Sequence, residues 1–300
     1  MRLGFVGFGE AAFEMAIGLR AHGLDRISAY DALWNNSVYG KLINERAEQA
    51  QVKLEKSLEF LLEDINMLIV AVPASKAYEV SESLKPYLKH SLVYIDVSAA
   101  SPDVKCKISN NIKEKGAYFV DAAMMGSLPV YKHKVPILAS GDGTDAFIDN
   151  MSPYGMNISK VSENPGDASA VKLVRSIFMK GLPALLLETL EAASAFNVEE
   201  RVINSISETM NAKTFEETMN RLVTGTSIHA LRRSMELEGS IEMLESSNLN
   251  SLMTMAAKDK LRLLSELNLK EKFQGKTPDS WSDVITACKE QDNKVINNLS

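Results

Sequence analysis

The sequence predicts an α/β N-terminal domain built on a mainly parallel sheet, followed by an all-α C-terminal domain. Two patterns carry this expectation. Over residues 1–140, short apolar runs alternate with charged, helically spaced segments, the pattern of strand–helix–strand units with helices covering a parallel sheet. From about Gly166 the strand-like runs stop and long helical patterns take over.

The strands of the first domain are expected at Leu3–Val6, Arg26–Tyr30, Met67–Val72, Leu92–Asp96, Tyr118–Val120 and Val135–Ala139. These runs are apolar enough to be buried on both faces. Helices are expected between them at Glu10–Ala21, Ser75–Leu88 and Ser101–Lys115, each with a charged face. Asn164, Pro165 and Gly166 form a breaker cluster, which divides the chain into domains 1–163 and 164–300. Beyond it, helices are expected over Asp167–Phe196, Val198–Ser207, Thr214–Leu237 and Glu242–Leu267. The first of these would run roughly 45 Å, with Pro183 as a place to kink. The polar tail after Gln274, ending Asn297-Asn298-Leu299-Ser300, is expected to fray.

Composition narrows the function classes. The hydrophobic share of 45% and charged share of 24% are those of an ordinary globular protein. A formal net charge of −6, with no Lys/Arg-rich block, argues against a nucleic-acid partner. Cys106 and Cys288 lie far apart, match no metal-ligand spacing, and read as thiols of a reducing cytosol. The N-terminal run Leu3–Phe8 is too short and glycine-broken for a signal peptide. Met67–Ala74 and Ile177–Leu187 are too short or too interrupted to span a bilayer. A cytoplasmic protein without membrane or nucleic-acid partners is the expectation.

The turn Gly7-Phe8-Gly9-Glu10-Ala11-Ala12 has the glycine-x-glycine-x-x-alanine form of a dinucleotide fingerprint, and it follows a strand and opens a helix. Gly7 permits the tight turn. Gly9, lacking Cβ, lets a pyrophosphate approach the amides of the helix N-terminus, and Ala12 keeps helix and strand close. The second strand ends at Asp31, near where the fingerprint places a carboxylate for the adenosine ribose hydroxyls. Together these residues predict a Rossmann-type nucleotide-binding domain. Glu10 sits at the phosphate turn and is expected to face solvent, where its charge complements the helix dipole. The Asp31 carboxylate would repel a 2′-phosphate, and Ala32, Leu33 and Trp34 offer no cation to receive one. NAD is therefore expected over NADP, which Lys41 keeps open by folding back across the loop Trp34–Lys41.

Further motifs follow in order: Val72-Pro73, then Asp96-Val97-Ser98-Ala99-Ala100-Ser101-Pro102, then Asp121-Ala122-Ala123-Met124-Met125-Gly126-Ser127, and more loosely Gly166-Asp167-Ala168-Ser169-Ala170-Val171-Lys172. With the fingerprint, they make the chain resemble the β-hydroxyacid dehydrogenases, the group of 3-hydroxyisobutyrate and 6-phosphogluconate dehydrogenases, over roughly residues 1–180. The second half is similar to a C-terminal domain of phosphogluconate-dehydrogenase-like proteins, on Lys180-Gly181-Leu182 and His229-Ala230-Leu231-Arg232-Arg233-Ser234-Met235-Glu236. The resemblance implies that Val72 and Pro73 line the nicotinamide-ribose side and that Ser98 contacts substrate. Read from its neighbours alone, Ser98 is also a candidate helix cap, but Ser101, followed by Pro102, suits that role better.

The family's substrate-carboxylate loop carries Ser-Gly-Gly, and here Met125, Gly126 and Ser127 occupy those positions. Gly126 still presents a backbone amide, and Ser127 offers a hydroxyl from the adjacent position. Met124 and Met125 favour a bulkier or less polar substrate group. In the family a lysine on the interdomain helix takes and returns the substrate hydroxyl proton, and Lys172 matches it. Ser176 stands where the family has Asn. Lys172, Ser176 and Lys180 stand at i, i+4 and i+8 and share a helix face. Two ammonium groups on one face lower each other's proton affinity, the direction a general base needs. Lys180 is thus a second catalytic candidate; solvated lysines on an exposed helix are the plainer alternative. The apolar neighbourhood Ile177–Leu187 speaks against that alternative.

Arg232 could fork a substrate carboxylate or phosphate, or pair along its helix with Glu236 or Glu238. His22, His90 and His133 lie in surface-like segments and receive no role, and no His/Asp/Glu cluster suggests a metal. The chain is therefore expected to be an NAD(P)-dependent oxidoreductase acting on the CH–OH group of a carboxylate-bearing substrate. Apolar helix faces in excess of what one bundle hides predict a homodimer. Alternatives are an imine or carbonyl reductase of the same fold, which the retained lysines disfavour, and a non-catalytic NAD-sensing protein.

Overall fold

The computed structural model describes residues 1–298, with side chains to residue 291. The polar tail after Gln274, expected to fray, instead forms a helix over Trp281–Asn298; Leu299 and Ser300 lie outside the described residues. The chain divides into two compact units, Met1–Ile177 and Phe178–Ser300.

The first unit alternates strands and helices: β1 Leu3–Val6, α1 Glu10–Ala21, β2 Ile27–Tyr30, α2 Gly40–Gln49, β3 Lys53–Leu54, α3 Leu58–Glu63, β4 Met67–Val70, α4 Ala77–Leu84 and β5 Val93–Asp96. There follow α5 Pro102–Lys113, β6 Tyr118–Met124, α6 Leu128–Tyr131, β7 Ile137–Ser140, α7 Thr144–Met151 and β8 Ile158–Ser162. One sheet takes all eight strands in the order β3-β2-β1-β4-β5-β6-β7-β8. Every neighbouring pair is parallel except β6 with β7.

Side chains alternate across this sheet with period two. Leu3, Phe5, Met67, Ile69, Val93 and Ile95 enter one apolar layer, with Met15 and Leu19 of α1. Val6, Leu68, Val70 and Tyr94 enter the opposite layer, with Ile108 and Ile112 of α5. Burial on both faces explains why the central strands read as continuous apolar runs. β3 and β8 are the sheet's edges and are half polar, which is why no apolar run marks them. The helices α2, α3 and α7 are likewise additional to the elements expected from the sequence.

The second unit, as expected, is helical: the remainder of α8 Asp167–Ala195, then α9 Glu199–Asn211, α10 Phe215–Ser246, α11 Leu252–Glu266, α12 Leu269–Lys272 and α13 Trp281–Asn298. α8 is one continuous helix with Pro183 inside it. α10 opens with a Thr214–Glu217 capping box and continues past Leu237 to Ser246, with a non-helical residue, His229, inside it. The Glu188 carboxylate accepts the amides of Met253 and Thr254, both at 2.8 Å, and so caps α11. Among the described residues, no helix is long and apolar enough to cross a membrane.

His133 corrects the sequence reading. It lies on the turn Lys132–Lys134 and is only 3% exposed. The ring fits against α1 because Gly18 has no side chain: a Cβ there would stand 2.0 Å from His133 Nδ1. The His22 ring lies against it, tilted by 55° with ring centroids 4.4 Å apart. Burial, then the charges of His22 and Lys134, push His133 down to about 4 from the ordinary 6.5. The unfolded chain therefore protonates first, and stability present above pH 6.5 is lost as the pH falls towards 4. A loss of about 2–3 kcal/mol between pH 7 and 4 is expected in denaturant titrations. His133→Phe should remove most of that slope; an unchanged slope would show that other groups cause it.

Candidate functional site

β1 lies between β2 and β4 in the sheet, so its crossover helix and that of its other neighbour leave on opposite sides. Beyond the carboxyl ends of these strands a crevice must open, the usual ligand position of such sheets. A cavity of about 520 Å³ occupies it, with Gly7, Gly9, Asp31, Leu33, Val72 and Pro73 among its lining residues.

The turn is shaped by its two glycines in different ways. Gly7 has φ +83°, and a Cβ there would lie 2.4 Å from the Ala71 carbonyl oxygen. Gly9 has the opposite surroundings: nothing lies within 4 Å of the place its Cβ would take. As N-cap of α1, Gly9 also brings no side-chain acceptor to the first-turn amides. Open space beside unsatisfied amides at a helix N-terminus suits an anion. Ala12 is fully buried beneath the turn.

Asp31 does more than the fingerprint requires. Its Oδ2 accepts the Phe8 amide at 2.7 Å and its Oδ1 accepts the Leu33 amide at 2.8 Å. The carboxylate thus ties the glycine turn to the loop after β2. A carboxylate has about four lone-pair sites, so acceptor capacity remains for ribose hydroxyls. The Phe8 amide is taken by Asp31, and its ring is buried edge-to-face on Phe5, centroids 6.1 Å apart. Glu10 is exposed and Ala11 half-buried. Lys41 pairs with Glu45 at 3.7 Å and does not line the cavity. The lining lysine is Lys76, held to Glu79 at 2.7 Å. Lys76, Glu79, Val80 and Ser83 were missed by sequence reasoning, because they reach the cavity from the segment after β4, opposite the fingerprint. These glycines, the carboxylate and the cavity walls fit a dinucleotide.

A second cluster lies at the ends of β5 and β6. Ser98 is 5% exposed, and its Oγ is buried with no hydrogen-bond partner. Ser101 caps α5, accepting from Val104 at 3.5 Å, so Ser98 is not the cap. The Ser98 amide donates to Asp96 Oδ1 at 2.8 Å. Asp121, paired in register with Asp96, accepts the Ser169 amide at 2.8 Å and its hydroxyl at 2.7 Å. The Ala168 amide donates to Ser140 Oγ at 3.0 Å. The opening turn of α8 is therefore bolted to β6 and β7, with Asp121 at the end of the helix that favours negative charge.

Lys172 and Ser176 are half-buried on the face of α8 that continues from buried Ser169, while Leu173, Val174 and Arg175 are exposed. Gly126 and Ser127 are exposed just beyond β6, and Met124 and Met125 are half-buried. Lys180 and Arg232 lie in the second unit, both exposed. Arg232 pairs along α10 with Glu236 at 3.6 Å. No group of three or more His, Cys, Asp or Glu among the described residues could hold a metal ion.

Comparison with known proteins agrees with this architecture. A family model described as the NAD binding domain of 6-phosphogluconate dehydrogenase matches residues 2–154, and a domain of unknown function matches residues 193–264. A conserved protein of unknown function, reported as structurally similar to 3-hydroxyacid dehydrogenases, is 32% identical, covering 92% of this chain and all of its own (100%), with a TM-score of 0.62. An imine reductase from Pseudomonas sp. is 17% identical over 96% of this chain and 99% of its own, with a TM-score of 0.71. A reductive aminase from Aspergillus terreus, solved with NADPH and ethyl-5-oxohexanoate, is 14% identical over 95% of this chain and 98% of its own, with a TM-score of 0.69. The last two likenesses concern the fold. The first unit is thus an NAD-binding domain of the dehydrogenase and reductase type.

The two glycines should behave differently when altered. Gly7→Ala combines a positive φ with a backbone clash and is expected to cost about 2–3 kcal/mol in chemical denaturation. Gly9→Ala should leave stability within about 0.5 kcal/mol. Equal losses at both positions would contradict the open space seen at Gly9.

Proposed function

We propose that this chain, which belongs to the family of the NAD-binding domain of 6-phosphogluconate dehydrogenase, is an NAD(P)-dependent oxidoreductase that interconverts a hydroxy acid and its carbonyl form. The observation that carries the reading is the switch-point cavity, where Gly9 leaves open the space a side chain would fill, beside the Asp31 carboxylate. Gly7, Gly9 and the amides of the first turn of α1 would hold the pyrophosphate, Asp31 the adenosine ribose, and Val72 with Pro73 the nicotinamide side. The cofactor supplies the hydride chemistry when bound.

The chain's own residues account for the rest. Lys172 holds and returns the proton of the substrate hydroxyl, placed by the bolted turn of α8. The unpartnered Ser98 hydroxyl binds a substrate oxygen. Gly126 and Ser127 offer an amide and a hydroxyl to the substrate carboxylate, and Ser176 lies one turn beyond Lys172. Half-buried Met124 and Met125 favour a substrate with an apolar or bulky group. NAD is the preferred cofactor because Asp31 faces the cavity. Lys76 keeps NADP in play, although Glu79 already engages its ammonium.

The second unit supports a homodimer. α9 is amphipathic yet buries no side chain, and Leu187, Leu231 and Met235 are 62%, 59% and 60% exposed. Exposed apolar area of this kind marks an association surface.

The direct test follows reduction of NAD and NADP over a panel of hydroxy acids, with ketones and cyclic imines assayed in the reverse direction. Turnover of a hydroxy acid with NAD is expected. Lys172→Met should lower kcat by about 100-fold or more while NADH still binds. Turnover of imines alone would favour the reductase reading, and NADH binding without turnover of any substrate would favour a sensor. Retained turnover in the Lys172→Met enzyme would remove that lysine from the chemistry.

A further inference from the structure

Three charged side chains are fully buried between β5, α5 and β6, and neither cofactor binding nor proton transfer at Lys172 accounts for them. They are Lys105, Asp96 and Asp121, each with 0% exposure. Removing an ammonium and two carboxylates from water is costly unless each is closely paired. Here the pairing is close. Lys105 Nζ donates to the Asp96 carbonyl at 2.9 Å, and lies 3.3 Å from Asp96 Oδ1 and 3.2 Å from Asp121 Oδ1.

Packing alone does not call for a cation at this place. Ile108 and Ile112 of the same helix α5 bury apolar side chains in the layer over the sheet. Apolar groups of similar volume commonly replace buried ion pairs at no cost in stability. What an apolar residue could not do is hold two carboxylates in fixed orientation, and each carboxylate orients something else. Asp96 Oδ1 receives the amide of Ser98 at 2.8 Å. Asp121 receives both the amide and the hydroxyl of Ser169, one helical turn before Lys172. Lys105 is thus the shared partner of the strand end that carries Ser98 and the helix turn that precedes Lys172. A second observation points to a ligand at this junction. Asp96 Oδ2 and Ser98 Oγ are both buried with no hydrogen-bond partner, and polar atoms left so in a native structure call for an explanation such as a bound group.

We propose that Lys105 is a positioning residue: its buried ammonium fastens Ser98 and the first turn of α8 in one register, so that the substrate-binding hydroxyl and Lys172 are presented together. This rests on the function proposed above. Lys105 does not touch substrate or cofactor in this scheme. It acts through Asp96 and Asp121.

The test compares Lys105→Met with Lys107→Met, an exposed lysine on the same helix. NADH affinity, kcat, KM and the labelling rate of Lys172 by acetic anhydride, read by peptide mass spectrometry, are measured on the folded full chain. For Lys105→Met, NADH affinity should stay within about twofold of wild type, because Gly7, Gly9 and Asp31 are untouched. kcat should fall about 100-fold, the effect of displacing a reacting group by about 1 Å. The Lys172 labelling rate should change by about threefold or more, which a half-unit change in its proton affinity would produce. Lys107→Met should match wild type throughout. Folded Lys105→Met with unchanged kcat and labelling would overturn the proposal, as would losses that follow only the folded fraction. If Lys105→Met does not fold, Ser169→Ala decides. It keeps the amide bond to Asp121 and removes only the hydroxyl, and it should alter kcat and Lys172 labelling; wild-type values for both would overturn the proposal. Should the wild-type chain turn over no substrate, the functional reading fails, while the labelling comparison still decides the role of Lys105.

Discussion

The first unit depends on one constraint: β1 must sit between two parallel neighbours whose crossovers leave in opposite directions. That arrangement keeps any helix from covering the carboxyl ends of β1, β2 and β4, and so a crevice exists at all. The turn after β1 then has to be tight and free of side chains on its open side. Gly7 meets the first need through its positive φ and its approach to the Ala71 carbonyl, and Gly9 meets the second. Asp31 closes the arrangement from β2, because its carboxylate accepts the Phe8 amide and so fixes the turn that it borders.

The proposed substrate side rests on the neighbouring strand pair. Asp96 and Asp121 stand opposite each other at the ends of β5 and β6, and both turn their carboxylates to backbone amides: one of the loop carrying Ser98, the other of the opening turn of α8. α8 inherits its position from these bonds. Its buried N-terminal amides need acceptors, and Ser140 and Asp121 supply them. Lys172 is placed by backbone geometry set at Ala168 and Ser169. The departures at Met125 and Ser176 change what the site would hold while leaving this scaffold intact.

Much of the fold was legible because its interior strands obey a simple rule: strands buried on both faces are apolar throughout. Leu3–Val6, Met67–Val70 and Val93–Asp96 announce themselves in this way. Lys53–Leu54 and Ile158–Ser162 do not, since edge strands cover less core and carry polar residues. The fingerprint glycines and Asp31 were legible because their spacing is local. Lys76 was not, because it joins the cavity only after the chain has crossed the sheet. His133 and Lys105 show the same limit from the inside. A charged or titratable residue in a polar stretch reads as surface, and only the packing of Gly18 against one, and of two carboxylates against the other, reveals burial.

The central claim is that a nicotinamide dinucleotide rests on the amides of the Gly7–Ala12 turn, with Asp31 at its adenosine end. Amide hydrogen exchange with and without saturating NADH tests this most directly. The account predicts added protection concentrated in residues 9–12, 31–33 and 71–76, and weaker protection there with NADPH. Saturable NADH binding with no change at residues 9–12, or with protection confined to the helical second unit, would contradict it.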